Sequence, residues 1–199
     1  MLKVGLTGGI ATGKSYVLNR FRDHGVPCLD ADLPAQGVTA AGTEATEAIA
    51  ARFGAGVLDA TGAVDRRKLG PIVFADAAAR RDLEAIVHPA VYRAIIVGLR
   101  AFELLEGPPF AVVDVPLLFE TRHESSFDHV VATVCSPEIQ LARLKERGLS
   151  DVEAKQRLDA QMPAGDKARR AGTIIQTGGT FAETDRQVDA LIHSLNARA

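Results

Sequence analysis

Gly8-Gly9-Ile10-Ala11-Thr12-Gly13-Lys14-Ser15 follows an apolar run, Leu2 to Leu6. It precedes a segment whose Val17, Leu18 and Phe21 share one helical face. A glycine, four residues, a second glycine, then lysine and serine is the spacing of a phosphate-binding loop joining a strand to a helix. Gly8 and Gly13 let the backbone bend tightly, so that N–H groups converge on phosphate oxygens. Gly9, Ala11 and Thr12 complete the cradle, and the helix beginning near Gly13 adds its positive end. Lys14 reaches the β and γ phosphates as a point charge. Ser15 Oγ is the expected Mg²⁺ ligand. The expected cofactors are therefore ATP and Mg²⁺.

Outward from the loop, apolar strands alternate with amphipathic helices, the pattern of an α/β fold on a parallel sheet. Val26 to Leu29, Phe110 to Val115, His129 to Cys135 and Thr173 to Ile175 read as further strands. The stretch 33–107 reads as helical, with Ala-rich segments at Glu44 to Phe53, Ala77 to Val87 and Ala90 to Leu105. Ser136, the Ser150/Glu153 pair and the Thr180/Glu183 pair read as helix starts. The expected division is a core of 1–32, 108–136 and 172–199, a helical region of 33–107, and a lid of 137–171.

The chain has 199 residues, which suits one domain with small insertions, and 47% of them are hydrophobic. A formal net charge of −2 gives no global basic field for nucleic acid. Cys28 and Cys135 lie in or beside apolar runs and read as small buried residues, with no zinc spacing. No run approaches the roughly 18 apolar residues of a membrane span, and the loop lies too near Met1 for a signal peptide. The expectation is a soluble, cytoplasmic protein with a small-molecule substrate.

Within the phosphate-loop class, a guanine-reading Asn-Lys-x-Asp is missing, because the only asparagines are Asn19 and Asn196. Asp59-Ala60-Thr61-Gly62 matches Asp-x-x-Gly but sits in a turn-like stretch. A small-molecule kinase fits the chain length better than a motor or transporter ATPase. Asp30-Ala31-Asp32 ends the second strand, where open α/β sheets bind ligands. Either carboxylate there can orient or deprotonate an acceptor hydroxyl, or simply cap a turn. Asp114 ends another strand and can hold Mg²⁺ through water.

The residues resemble the dephospho-CoA kinase family along nearly the whole chain. The resemblance is carried by the loop, Asp30-Ala31-Asp32, Asp65-Arg66-Arg67-Lys68-Leu69, His88-Pro89, Pro116-Leu117-Leu118-Phe119-Glu120, Gln140, Arg143, Arg147 and Gln161. It implies a three-layer P-loop fold with a helical CoA-binding insertion and a helical lid. It also implies transfer of phosphate from ATP to the ribose 3′-hydroxyl of dephospho-CoA. Asp32 would be the general base, Lys14 would neutralise the transferring phosphoryl, and Arg143 and Arg147 would close from one lid-helix face. Tyr16 and Gln176 would border the nucleotide. Arg66, His88, Leu117, Leu118 and Glu120, with Asp32, would shape the acceptor site. Four positions depart from the family pattern. Tyr16 stands where threonine is usual, Gln36 ends a stretch that usually ends in Arg or His, Gly172 replaces aspartate and Gln176 replaces asparagine. A kinase for another small metabolite and a nucleotide-dependent binding module are the competing readings.

Overall fold

The computed structural model describes residues 1–31, 37–104 and 108–198. It divides into two compact units, Met1–Leu29 with Leu99–Ala199, and Asp30–Gly98.

The first unit is built on a five-stranded sheet of order β2-β3-β1-β4-β5. The strands are β1 Leu2–Gly8, β2 Cys28–Asp30, β3 Phe110–Asp114, β4 His129–Val134 and β5 Thr173–Gln176. β1 lies parallel to both β3 and β4, and β4 lies parallel to β5. The chain leaves β1 for one side of the sheet and returns on the other, so a switch point falls at the carboxyl end of β1. Ligands of doubly wound sheets bind there. The register sets Leu6 beside Asp114 and Gly8 beside Thr133, so residues 108 and 125 positions apart in sequence share that edge.

Every residue of β3 is buried, as expected of a strand covered on both faces. One face packs Val4, Leu6, Val112, Val131 and Ile175 against Val17, Leu18 and Phe21 of α1 (Lys14–Asp23) and Val188, Leu191 and Leu195 of the final helix. On the other face Gly5 leaves room for Phe127 and Leu118, whose nearest atoms lie 3.0 and 3.2 Å from where a Cβ would stand. Leu118 is therefore core.

In the second unit are α2 (Glu44–Phe53), α3 (Arg66–Ala75) and most of α4 (Ala77–Leu104). Thr43 caps α2 and Asp65 caps α3. Ile49, Val57 and Leu69 form its small core. Asp59 Oδ1 accepts the N–H groups of Thr61 and Ala63, which fixes the expected turn. Two sequence expectations change here. The segments on either side of His88-Pro89 form one 28-residue helix, because the proline costs a single ladder bond that the flanking turns outweigh. By length and composition that helix is also long and apolar enough to cross a bilayer, which the sequence reading did not foresee. One such helix is equally the form of a helix in a globular enzyme.

The remaining helices are α5 (Pro137–Glu146), α6 (Asp151–Asp159), α7 (Ala164–Arg170) and α8 (Phe181–Asn196). Ser136 caps α5, and both expected capping boxes, Ser150/Glu153 and Thr180/Glu183, are formed. Neither cysteine is bridged. Burial pushes the Cys28 thiol up to about 12, which leaves it protonated and unreactive.

Candidate active site

The phosphate loop forms as its glycines predict. Ala11 at φ 59° and Gly13 at φ 79° put two left-handed residues in the turn, the geometry that gathers N–H groups into an anion nest. Gly8 admits no side chain, since a Cβ would lie 2.1 Å from Thr133 Oγ1 and 2.6 Å from Thr12 Oγ1. Those two hydroxyls bond each other at 2.7 Å. Thr177 from the end of β5 donates to Thr12 O at 2.6 Å and packs against Gly13.

The Lys14 ammonium is paired with the Asp114 carboxylate, and Asp114 is 4% exposed. A parallel sheet explains the meeting, because β1 and β3 end side by side with Leu6 in register with Asp114. Ser15, by contrast, is exposed in the first turn of α1. The sequence placed Asp114 near Mg²⁺ and did not foresee it as the lysine's partner.

Arg143 is half-buried, and its guanidinium donates to Ala11 O at 3.1 Å and to Thr177 O at 2.6 Å. It is thus joined to the outside of the loop. Arg147 lies one turn further on, at the end of the same helix. The helix ends at Glu146, Arg147 is the exposed residue that caps it, and Gly148 at φ 87° turns the chain away. Tyr16 turns its hydroxyl to Asp185 Oδ1 at 2.7 Å and packs on Phe181 with ring centroids 4.7 Å apart. Gln176 is exposed, and its backbone is held by the Gln187 side chain at 2.9 Å in both directions.

Of the expected acceptor residues in this unit, Leu117 is 40% exposed while Leu118 is completely buried and presents no surface to a ligand. Glu120 Oε1 accepts from Met162 N at 3.1 Å and from Lys167 at 2.9 Å. Glu120 Oε2 is buried and takes no hydrogen bond among the described residues. In the second unit Arg66 is exposed at the start of α3, and His88 is half-buried on α4. Asp32 and Gln36 lie outside the described residues.

Sequence reasoning missed Lys167. It stands in Asp166-Lys167-Ala168-Arg169-Arg170, beside charged neighbours, yet it has no exposed surface. It donates to Pro116 O at 2.6 Å and Gly8 O at 3.4 Å, and pairs with Glu120. Burial lowers its pKa from the ordinary lysine value, and Glu120 partly offsets that. Gly172 departs from the family pattern for a visible reason. A Cβ there would lie 2.9 Å from Cε1 of His129, whose imidazole occupies the space.

A parallel α/β sheet, an anion nest after its central strand, and a lysine–carboxylate pair beneath the nest define a P-loop kinase. The family model described as CoaE, dephospho-CoA kinase, matches residues 2–183. The chain is 43% identical over 197 residues to dephospho-CoA kinase of Geobacillus kaustophilus, covering 98% of each. Among solved structures, a Thermus thermophilus protein superposes with TM-score 0.82 at 32% identity, covering 98% of this chain and 97% of that one. Dephospho-CoA kinase from Campylobacter jejuni superposes with TM-score 0.73 at 26% identity, with the same coverage. The chain belongs to the dephospho-CoA kinase family.

Proposed function

We propose that this kinase transfers the γ-phosphoryl group of ATP to the ribose 3′-hydroxyl of dephospho-CoA, giving CoA and ADP in the last step of coenzyme A biosynthesis. The observation that carries it is the match of the family model to residues 2–183 together with an intact loop at Gly8 to Ser15.

The nest N–H groups hold the nucleotide's phosphates, and Lys14 spreads positive charge over the β and γ groups as the bond to the leaving oxygen loosens. When phosphate arrives, Lys14 divides its charge between it and Asp114, which keeps the ammonium aimed without a mobile counter-ion. Ser15 Oγ and the Asp114 carboxylate are hard oxygen donors that suit Mg²⁺. Two protein oxygens with phosphates and waters are what that ion ordinarily takes. Bound there, it neutralises charge on the β and γ phosphates. Asp32 is assigned as the base that accepts the acceptor's hydroxyl proton, on the strength of the family pattern and its place just beyond β2. Arg66, His88, Leu117 and Glu120 are assigned to the acceptor, on the strength of the family pattern. The exposed surface of Leu117 supports its part, whereas Leu118 is completely buried and is assigned on the family pattern alone. Arg143, Arg147, Tyr16 and Gln176 are assigned to the nucleotide side. We assign the enzyme to the cytoplasm, where ATP is available.

The test is ADP formation by the purified protein with Mg-ATP and dephospho-CoA, and separately with adenosine, shikimate, gluconate and nucleoside monophosphates. Turnover with dephospho-CoA and a single added phosphate by mass spectrometry is the expected result. Turnover confined to another acceptor would move the substrate, and binding of ATP without any turnover would make the protein a nucleotide-dependent binding module.

A further inference from the structure

A nest binds phosphate only if its carbonyls point outward, and here each outward carbonyl has a side-chain donor. Gly8 O accepts from Lys167 Nζ at 3.4 Å, Gly9 O from Thr12 Oγ1 at 2.8 Å and Ile10 O from Gln140 Nε2 at 2.6 Å. Ala11 O accepts from Arg143 Nη1 at 3.1 Å, and Thr12 O from Thr177 Oγ1 at 2.6 Å. Five successive carbonyls are thus held by side chains from the loop itself, α5, α7 and the end of β5.

The peptide bond converts this into a statement about the ligand side. All peptides of the described chain are trans. In a trans peptide the C=O of one residue and the N–H of the next point in opposite directions. Holding Gly8 O from outside therefore aims Gly9 N–H inward, and holding Ile10 O aims Ala11 N–H inward. The loop needs this restraint. Ala11 is a non-glycine residue at φ 59°, a conformation that costs roughly 1–2 kcal/mol and persists only where the surroundings over-determine it. The carbonyls on either side of that strained residue are the ones that Gln140 and Arg143 hold.

We propose that Gln140 and Lys167 are positioning residues for phosphoryl transfer, which fix the direction of the Ala11 and Gly9 N–H groups by holding the Ile10 and Gly8 carbonyls from outside the nest. Their burial fits the role. Gln140 is 4% exposed and Lys167 is fully buried. Lys167 also holds Pro116 O at 2.6 Å and Glu120. One ammonium therefore ties the entry of the loop to the segment after β3. The helices that the sequence set aside as a lid supply the back wall of the phosphate site.

This inference rests on the loop binding phosphate and is independent of which hydroxyl accepts it. The test is calorimetric binding of ATP, of inorganic tripolyphosphate and of adenosine to Gln140→Leu, with kcat measured alongside. ATP and tripolyphosphate should weaken about tenfold, adenosine should change less than twofold, and kcat should fall at least tenfold. Lys167→Met would leave Glu120 buried beside an apolar group, so it is paired with Glu120→Gln, and the double variant should show the same split. A folded variant whose tripolyphosphate affinity stays within twofold of the parent overturns the proposal. So does equal weakening of all three ligands in step with a lowered Tm, which marks a merely structural contact. Should neither variant fold, the unaltered protein decides. Tripolyphosphate must shift the backbone amide proton resonances of both Gly9 and Ala11 downfield, and if either stays in place the proposal fails.

Discussion

Replacing Gly8 with alanine isolates one physical cause. Gly8 does not have a positive φ, so alanine meets no backbone strain there, and only the neighbours object. The new methyl would stand 2.1 Å from Thr133 Oγ1, 2.6 Å from Thr12 Oγ1 and 3.1 Å from Thr133 O. Close carbon–oxygen contact lies at about 3.3–3.6 Å, so both hydroxyls must move and the carbonyl must give slightly. Overpacking of this kind costs about 1–3 kcal/mol. Loss of the buried bond between the two hydroxyls adds about 1 kcal/mol. The sum is about 2–4 kcal/mol, or roughly a 4–16 °C fall in Tm for a chain of this size. Urea unfolding of Gly8→Ala, Thr133→Ala and the double variant measures it. Removing Thr133 Oγ1 takes away the worst contact, so the double variant should recover at least about 1 kcal/mol relative to additivity. A single variant within about 0.5 kcal/mol of the parent, or strict additivity in the cycle, would refute the steric account.

Asp32→Asn should lower kcat by about 10²–10⁴-fold, the usual contribution of a positioned general base, and change KM for dephospho-CoA only a few-fold. Steady-state kinetics checks this, and unaltered turnover removes the assignment. Arg143→Met should weaken ATP binding and lower kcat together, because its guanidinium is bonded to Ala11 O and Thr177 O; a fall in kcat alone would restore the picture of a clamp that acts only in transfer. Burial, aided by Arg198, holds the His129 pKa below the ordinary histidine value. The unfolded chain therefore takes up that proton first as pH falls through about 6.5, and stability is lost from there down to the lower folded value. Thermal melts across pH 5 to 8 should show this slope, and His129→Gln should flatten it; an unchanged slope would locate the titration elsewhere. Gly172→Ala should destabilise the parent more than it destabilises a His129→Ala background, since the Cβ and the imidazole claim one space.

Local physics made much of this protein legible from its sequence. The loop from Gly8 to Ser15 carries its own spacing and its own flanking strand and helix. The caps at Ser136, Ser150 and Thr180 are set by side chains within three residues of the backbone they satisfy. Period and burial gave β3 and the inward face of α1. Boundaries slipped where only tertiary packing decides, as at Pro89, where the periodicity on either side hid a continuous helix. The family resemblance named further residues but could not say which way they point. Arg143 reads as a lid cation because its charge is all the sequence displays, and Arg147 reads as its partner because four residues make one helical turn. The fold commits Arg143 to two carbonyls and leaves Arg147 exposed at the helix end. The Lys14–Asp114 pair joins residues 100 apart, and Lys167 meets Gly8 across 159. Such meetings follow from the order in which parallel strands are laid beside β1, which no local pattern encodes. Sequence alone determined that phosphate is bound and by which loop. The tertiary structure decided which side chains hold that loop open, because a carbonyl's partner is chosen by what the sheet brings next to it.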